Sequence, residues 1–334
     1  MMSSQSASAR WLAFFGIVLL VITAQIAQHP LKPFMHNDDV TIKWRNAGAG
    51  ANATRDRTTM IRFVACFAAA AMIAGCASTG PSPDSLSQQF TGKSYVLLGE
   101  VHDNAAGQQQ RLQALTRAVE AGWRPAIAME QFDRERQADI DRARHERPRD
   151  AEYLIVQASG LKSGWDWDQY RPVVALALQY DLPLLAANLS RADAAKIVRG
   201  GLGDVFDRAQ LGALGLDKPL PADLVASQTA ELEAGHCGHF PTSMLPGMLN
   251  AQAARDAVMA QTMKTYADRG VVLIAGNGHV RRDLGVPRWL NRDGSRVLSV
   301  GYVEAQGNVE GFDELVRVPA VERPDPCADA VMRK

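Results

Sequence analysis

The sequence predicts an α/β fold: a mainly parallel, layered sheet with helices on both faces and a helical lid or insertion. Short apolar runs of strand-forming residues recur at 95–98, 124–129, 182–187, 271–275 and 295–303. Helical patterns separate them, and strands alternating with helices make a parallel sheet. Four of the runs end in polar groups: Glu100 and His102, Glu130, Asn188, then Asn277 and His279. Parallel strands bring such ends to one edge, which is where open α/β sheets bind ligands.

The chain begins with two apolar stretches. Residues 11–27 are about long enough for a signal anchor or a marginal membrane span. The second stretch has a short positive region ending at Arg62, an apolar run over 63–73, and the small-residue site Ile73-Ala74-Gly75-Cys76. This is signal-peptide architecture, and its last four residues resemble the lipobox of bacterial lipoproteins. That resemblance implies cleavage before Cys76, lipidation of Cys76, and a protein anchored to a bacterial membrane, facing the periplasm or the cell exterior. Residues 1–59 sit poorly in front of such a signal, because 45–59 are polar and lack apolar periodicity. They are expected to be a non-native upstream extension, with translation starting at Met60; the alternative is an additional anchor over 11–27. The division that follows is a signal peptide at 60–76, a Pro/Ser/Gly-rich flexible tether at 77–89, a domain at 90–322 and a loose tail at 323–334.

Lysine and arginine together number 36, as do aspartate and glutamate, so no basic excess points to nucleic acid. The balance hides an asymmetry: 77–334 hold 29 basic and 33 acidic residues, a net of −4. Export also frames the cysteines. Cys66 lies in the signal and Cys76 would be blocked, which leaves Cys237 and Cys327 either as a disulfide or as two free buried thiols.

Within the domain, Asp103 or Asn104 caps a helix running to about Ala121. Residues 133–146 are a solvated helix or a loose surface segment, and 151–158 form another short helix. A loop bearing Gly164, Trp165 and Trp167 leads to a helix starting at Tyr170, with Pro172 in its first turn. Ser190 caps the next helix. Glycines and prolines then break up 200–246, a stretch that reads as a helical lid ending near His236 and His239. A long helix over 246–268 carries Met248, Met259, Met263, Arg255 and Asp256, and a short one runs to Leu290.

Glutamate and histidine are not the residues that turns prefer, so four strand ends bearing these groups point to a site. Imidazole beside carboxylate suits a transition metal, with His102, His279, Glu100 and Glu130 as ligands, or a hydrolytic acid/base pair. A histidine equally serves as an axial ligand to haem iron. The sequence lacks the Gly-x-Ser-x-Gly elbow, the Walker loop and the dinucleotide fingerprint.

Several of these segments carry a family resemblance. Leu-Leu-Gly-Glu-Val-His-Asp-Asn at 97–104, Met-Glu-Gln-Phe at 129–132, Cys-Gly-His-Phe-Pro at 237–241, Met-Leu-Pro-Gly-Met at 244–248, Ala-Arg-Asp at 254–256 and Gly-Asn-Gly-His-Val-Arg at 276–281 resemble the ChaN-type haem-binding uptake lipoproteins. The resemblance runs from about 90 to 305. It implies an α/β fold, a lipid anchor and a role in haem or iron uptake rather than catalysis. Its Gly-Glu-x-His piece also resembles erythromycin esterases and Tiki-type metalloproteases, so a hydrolase is the alternative, with Glu100, His102 and His279 catalytic and zinc or another divalent metal in place of haem.

A porphyrin needs an apolar floor, an axial ligand and cations for its carboxylates. His102 and His279, or Tyr170 as a tyrosinate, are the expected iron ligands. Glu130, Asn277 and His236 stand nearby, while Arg255, Arg281 and Arg282 are candidates for the propionates. Apolar cover is expected from the tryptophan loop and the Met248 helix. An incomplete lid leaves one haem face open, which a second copy of the chain would close as a homodimer.

Overall fold

The computed structural model describes residues 80–159, 164–237, 241–290, 296–304, 307–308, 310–324 and 327. The two N-terminal apolar stretches, Cys76 and His239 lie outside the described residues. No helix among the described residues is long and apolar enough to cross a membrane.

Six parallel strands form one sheet. In chain order they are β1 (Tyr95–Leu98), β2 (Ala126–Asp133), β3 (Leu184–Asn188), β4 (Val271–Ile274), β5 (Val297–Glu304) and β6 (Glu314–Val318). Across the sheet the order is β3-β2-β4-β1-β5-β6. The central strands read as unbroken apolar runs because both faces are covered. Alternation still sorts their side chains. Val96, Leu98, Ile127 and Met129 point into one core cluster, and Tyr95, Leu97, Ala128 and Leu273 into the other. Each such side chain contributes roughly 1.5–3 kcal/mol when fully buried.

On the first face lie α1 (Pro83–Phe90), α2 (Ala105–Glu120), α3 (Gln137–Glu146), α4 (Ala151–Ala158) and α5 (Trp167–Gln179). Next come α6 (Arg191–Gly200), α7 (Arg208–Leu214), α8 (Ala222–Gly235) and α9 (Leu245–Lys264), with Met259 and Met263 of α9 packed into the second cluster. One further turn, α10 (Asn277–Val280), follows β4.

The expected caps are present: the Asn104 side chain accepts from Gly107 N at 2.9 Å, and the Ser190 side chain from Asp193 N at 3.2 Å. Four features differ from the sequence reading. A helix, α1, occupies much of the expected tether: Ser82 caps it, Pro83 opens it, and Leu86 and Phe90 are buried in the core. Helix α5 begins at Trp167, so Pro172 lies inside it rather than in its first turn. Strand β6 was not anticipated, because Glu314 and Arg317 interrupt its apolar run. The tail is tied down at two points. Arg323 bonds both Asp103 (2.6 Å) and Glu304 (2.7 Å), and Cys327 is bridged to Cys237 with the Cα atoms 5.6 Å apart.

Candidate functional site

The strand order places the carboxyl ends of β3, β2, β4 and β1 side by side. Two glycines let the chain close up there. A Cβ on Gly99 would collide with the Asn277 side chain, and one on Gly276 would sit 3.1 Å from the His102 ring. With no side chain between them, the His102 imidazole lies against the backbone that leaves β4.

Glu100 turns inward beneath α2, where it is fully buried. Its Oε1 accepts hydrogen bonds from the Tyr170 hydroxyl (2.6 Å), His102 Nδ1 (2.7 Å) and Gln131 Nε2 (3.1 Å). Its Oε2 accepts from the buried guanidinium of Arg111, which also reaches Gln108 Oε1. Burial alone would raise the Glu100 carboxyl, but Arg111, helped by His102, outweighs it and holds the group below the usual carboxylate range.

His102 is the exposed end of this chain of contacts. Its side chain is 48% exposed, and Trp165 meets the ring edge-on at 4.9 Å between centroids. The bond to a carboxylate requires the proton on Nδ1, so in the neutral ring Nε2 carries the lone pair. Burial pulls its pKa down, yet the Glu100 bond and the Glu130 charge prevail and raise it.

A second set lies behind the first. Glu130 Oε2 accepts from Gly276 N at 2.8 Å, and its Oε1 is 3.5 Å from His279 Nε2. On the other side of the ring, His279 Nδ1 lies 2.6 Å from Asp256 Oδ1. Burial disfavours charge on His279, but Glu130 and Asp256 overcome it and push its pKa up to about 10; Glu130 is drawn down to about 2 in return. Burial raises the Asp256 carboxyl. The set therefore holds an imidazolium with both N–H groups given to carboxylates.

The sign of its pH dependence follows. A folded-state value above the ordinary 6.5 means that the His279 pairs contribute fully below about 6.5 and lose that contribution as pH rises through about 10. The urea midpoint of the wild type should thus decline across that window, and His279→Gln should flatten the decline. Parallel curves for the two proteins would contradict the assignment.

A cleft of about 520 Å³ opens in front of Glu100 and Glu130, bounded by His102, Trp165, Gln169, Tyr170, Arg191 and Arg255. This volume is ordinary for a ligand site. Of the expected site residues, the structure brings His102, Tyr170, Glu130 and Arg255 to the cleft and places Glu100 and His279 directly behind it. Arg281 is not among them, since Glu231 and Asp283 hold its guanidinium. Arg282 is bonded to Asp313. Asn277 donates to Tyr302 O at 2.7 Å beneath β1, and His236 ends α8 with Nδ1 2.7 Å from Leu232 O. Helix α9 offers the cleft Arg255 rather than Met248, and none of the described residues of the lid stretch 200–246 lines it.

Three features bear on the expected ligand sets. Tyr170 donates its phenolic proton to Glu100, and burial together with the Glu100 charge raises its pKa far above 10, against a tyrosinate. His279 has both ring nitrogens on carboxylates. Among the described residues no group of three or more His, Cys, Asp or Glu side chains is set to hold a metal ion, so the four-residue ligand set does not form. Arg111, Gln131 and Asp256 had no role in the sequence reading. Arg111 was nevertheless detectable, because Gln108, Arg111 and Leu115 share one face of a helix whose neighbours there are apolar. A charge within a buried stripe requires a partner.

The family described as haem-binding uptake, Tiki superfamily, ChaN matches residues 86–290, more than half of the chain and all of the site above. Among solved structures, ChaN of Campylobacter jejuni, described with cofacial heme binding, is 18% identical and has a TM-score of 0.56, over 70% of this chain and 90% of that one. The type III effector HopBA1 is more distant, at 12% identity and a TM-score of 0.41 over 74% and 97% of the two chains. An erythromycin esterase in its open conformation stands at 14% identity and 0.36, over 74% and 82%. No curated protein matches. The first of these structures has the same fold, and on the family match the chain belongs to the ChaN family of haem-binding uptake proteins in the Tiki superfamily.

Proposed function

We propose that this protein is a lipid-anchored, extracytoplasmic haem-binding protein that serves haem or iron uptake. One observation supports this most: His102 presents an imidazole at the cleft with Nδ1 held by a buried carboxylate and Nε2 left to bind. A second partner on the far nitrogen fixes the ring and raises its basicity, as it does for metal-ligating histidines generally. Haem, when bound, would supply iron, and His102 Nε2 would be the nitrogen that holds it. Trp165 and the Tyr170 ring supply apolar cover, and Arg255 a cation for a propionate. A second copy of the chain closes the open side, which sedimentation with and without haem would detect.

The test is an absorption titration with haem. The wild type should develop a Soret band at stoichiometric occupancy, and His102→Ala should shift the ferric spectrum and weaken binding. An unchanged spectrum in that variant would remove His102 from the site. Protons compete with iron for Nε2, and Glu100 and Glu130 raise the His102 pKa. Affinity should therefore fall as pH drops through that raised value, starting above the ordinary 6.5.

The same geometry suits a general base, and that is the second reading: Glu100 orients His102 so that Nε2 can take a proton from water or substrate. Turnover of an ester that His102→Ala abolishes, without haem uptake, would favour it. The anchor is tested separately. Cys76→Ser should abolish labelling by a fatty-acid probe, and surviving label would refute lipidation at that residue.

A further inference from the structure

We propose that Arg191 and Arg255 form an anion-recognition pair for the carboxylates of a tetrapyrrole, so the ligand class of this cleft is a carboxylate-bearing porphyrin, bound with or without its metal. This rests on the haem-binding reading and adds to it a specificity determinant on the opposite side of the cleft from His102.

Arg281, Arg282, Arg288 and Arg323 each carry a carboxylate partner. The two arginines of the cleft do not. Arg255 is half-buried, and its one hydrogen bond goes to a neutral group, Asn188 Oδ1 at 3.2 Å. The same amide donates through Nδ2 to Asp133 Oδ1 at 3.0 Å. Asn188 thus bonds both Arg255 and Asp133, while Arg255 meets the Asp133 and Asp256 charges only at longer range, with no ion pair to either among the described residues. Arg191, the first residue of α6 after the Ser190 cap, is exposed and makes no hydrogen bond or ion pair among the described residues.

The acids around the cleft do not compete for these charges, because each has its own partner. Asp103 is held by Arg323 and Glu130 by Gly276 N and His279, while Asp166 caps α5 and bonds Gln169. Asp133 is bound to Asn188, and burial raises its carboxyl. Two guanidiniums with no ion-pair partner among the described residues, beside acids already engaged, favour an incoming carboxylate, with bonds strengthened by charge.

Ligand size follows from the sheet. His102 follows β1 and Asn188 ends β3, with β4 and β2 between them. Three strand spacings come to roughly 14 Å, a gap that the arginine side chains shorten. A ligand touching both ends must be about a nanometre across, which excludes a simple carboxylate and suits a porphyrin disc.

The experiment titrates the full chain with haem, metal-free protoporphyrin and the protoporphyrin dimethyl ester, read by quenching of tryptophan fluorescence and by porphyrin absorption. The metal-free acid should bind, and Arg191→Gln and Arg255→Gln should each weaken it by about tenfold or more. The ester should bind the wild type as weakly as the acid binds the double variant. Arg191 is exposed, so its variant retains the fold even if the Arg255 variant does not. If haem binds but acid and ester bind alike and neither arginine matters, the pair is refuted while the haem-binding reading stands. If no porphyrin binds, the haem-binding reading fails, and this assignment with it.

Discussion

Replacing Arg111 with methionine is expected to cost roughly 3–5 kcal/mol of folding stability, the usual penalty for removing one partner of a buried ion pair. Both side chains of the Arg111–Glu100 pair are 1% exposed, so water cannot replace the lost guanidinium. Glu100 would keep its hydrogen bonds from His102, Tyr170 and Gln131 but lose its counter-charge, and Gln108 Oε1 would lose a donor. The carboxyl would move toward its neutral form, weakening the pull on His102 and lowering that imidazole's pKa. Urea unfolding of the wild type and of Arg111→Met measures the first effect, and the pH dependence of haem affinity measures the second. Arg111→Met combined with Glu100→Gln should recover part of the stability, since removing both charges leaves neither uncompensated. A single variant within about 1 kcal/mol of wild type, below the usual range for such pairs, would show that the pair is not buried as described.

Loss of the Cys237–Cys327 bridge should have an effect of similar size by a different route. The two residues are 90 apart in sequence. In the chain-entropy account, a loop of that length restricts the unfolded chain by about 4.6 kcal/mol. The bridge joins the end of α8 to the segment beyond Arg323, both at the surface, so Cys237→Ser with Cys327→Ser should leave the core intact. The double variant and the reduced wild type should unfold at the same lower denaturant concentration. If reduction leaves the wild-type midpoint where it was, the two thiols are free. Because neither cysteine lines the cleft, haem affinity at low denaturant should change little, whereas Arg111→Met alters stability and site together.

Much of the fold was legible because its signals are local. A four- or five-residue apolar run bounded by glycine reads as a buried strand wherever it packs. Ser190 and Asn104 identify helix starts from the residue types alone. The strand-end groups were legible for the same reason: in a parallel sheet, the position after the last apolar residue is already a position on the ligand-binding edge. Glu100, His102, Glu130 and His279 thus stand out from the sequence alone, and export leaves Cys237 and Cys327 as the one cysteine pair of the domain.

Tertiary structure decided which of these groups face a ligand and which face one another. Periodicity places His102 and His279 alike, each four or five residues beyond a strand, yet one is half-exposed at the cleft and the other is enclosed by Glu130 and Asp256. The difference lies in side-chain direction and in partners supplied by two other elements, Glu130 from β2 and Asp256 from α9. Arg281 and Arg255 likewise read as equal candidates. An ion pair across to α8 occupies the first, while the neutral amide of Asn188 leaves the second charged and available. Strand ends and caps are set by neighbours along the chain, so sequence determines them; charge compensation is set by neighbours across space, so only the packed fold assigns it.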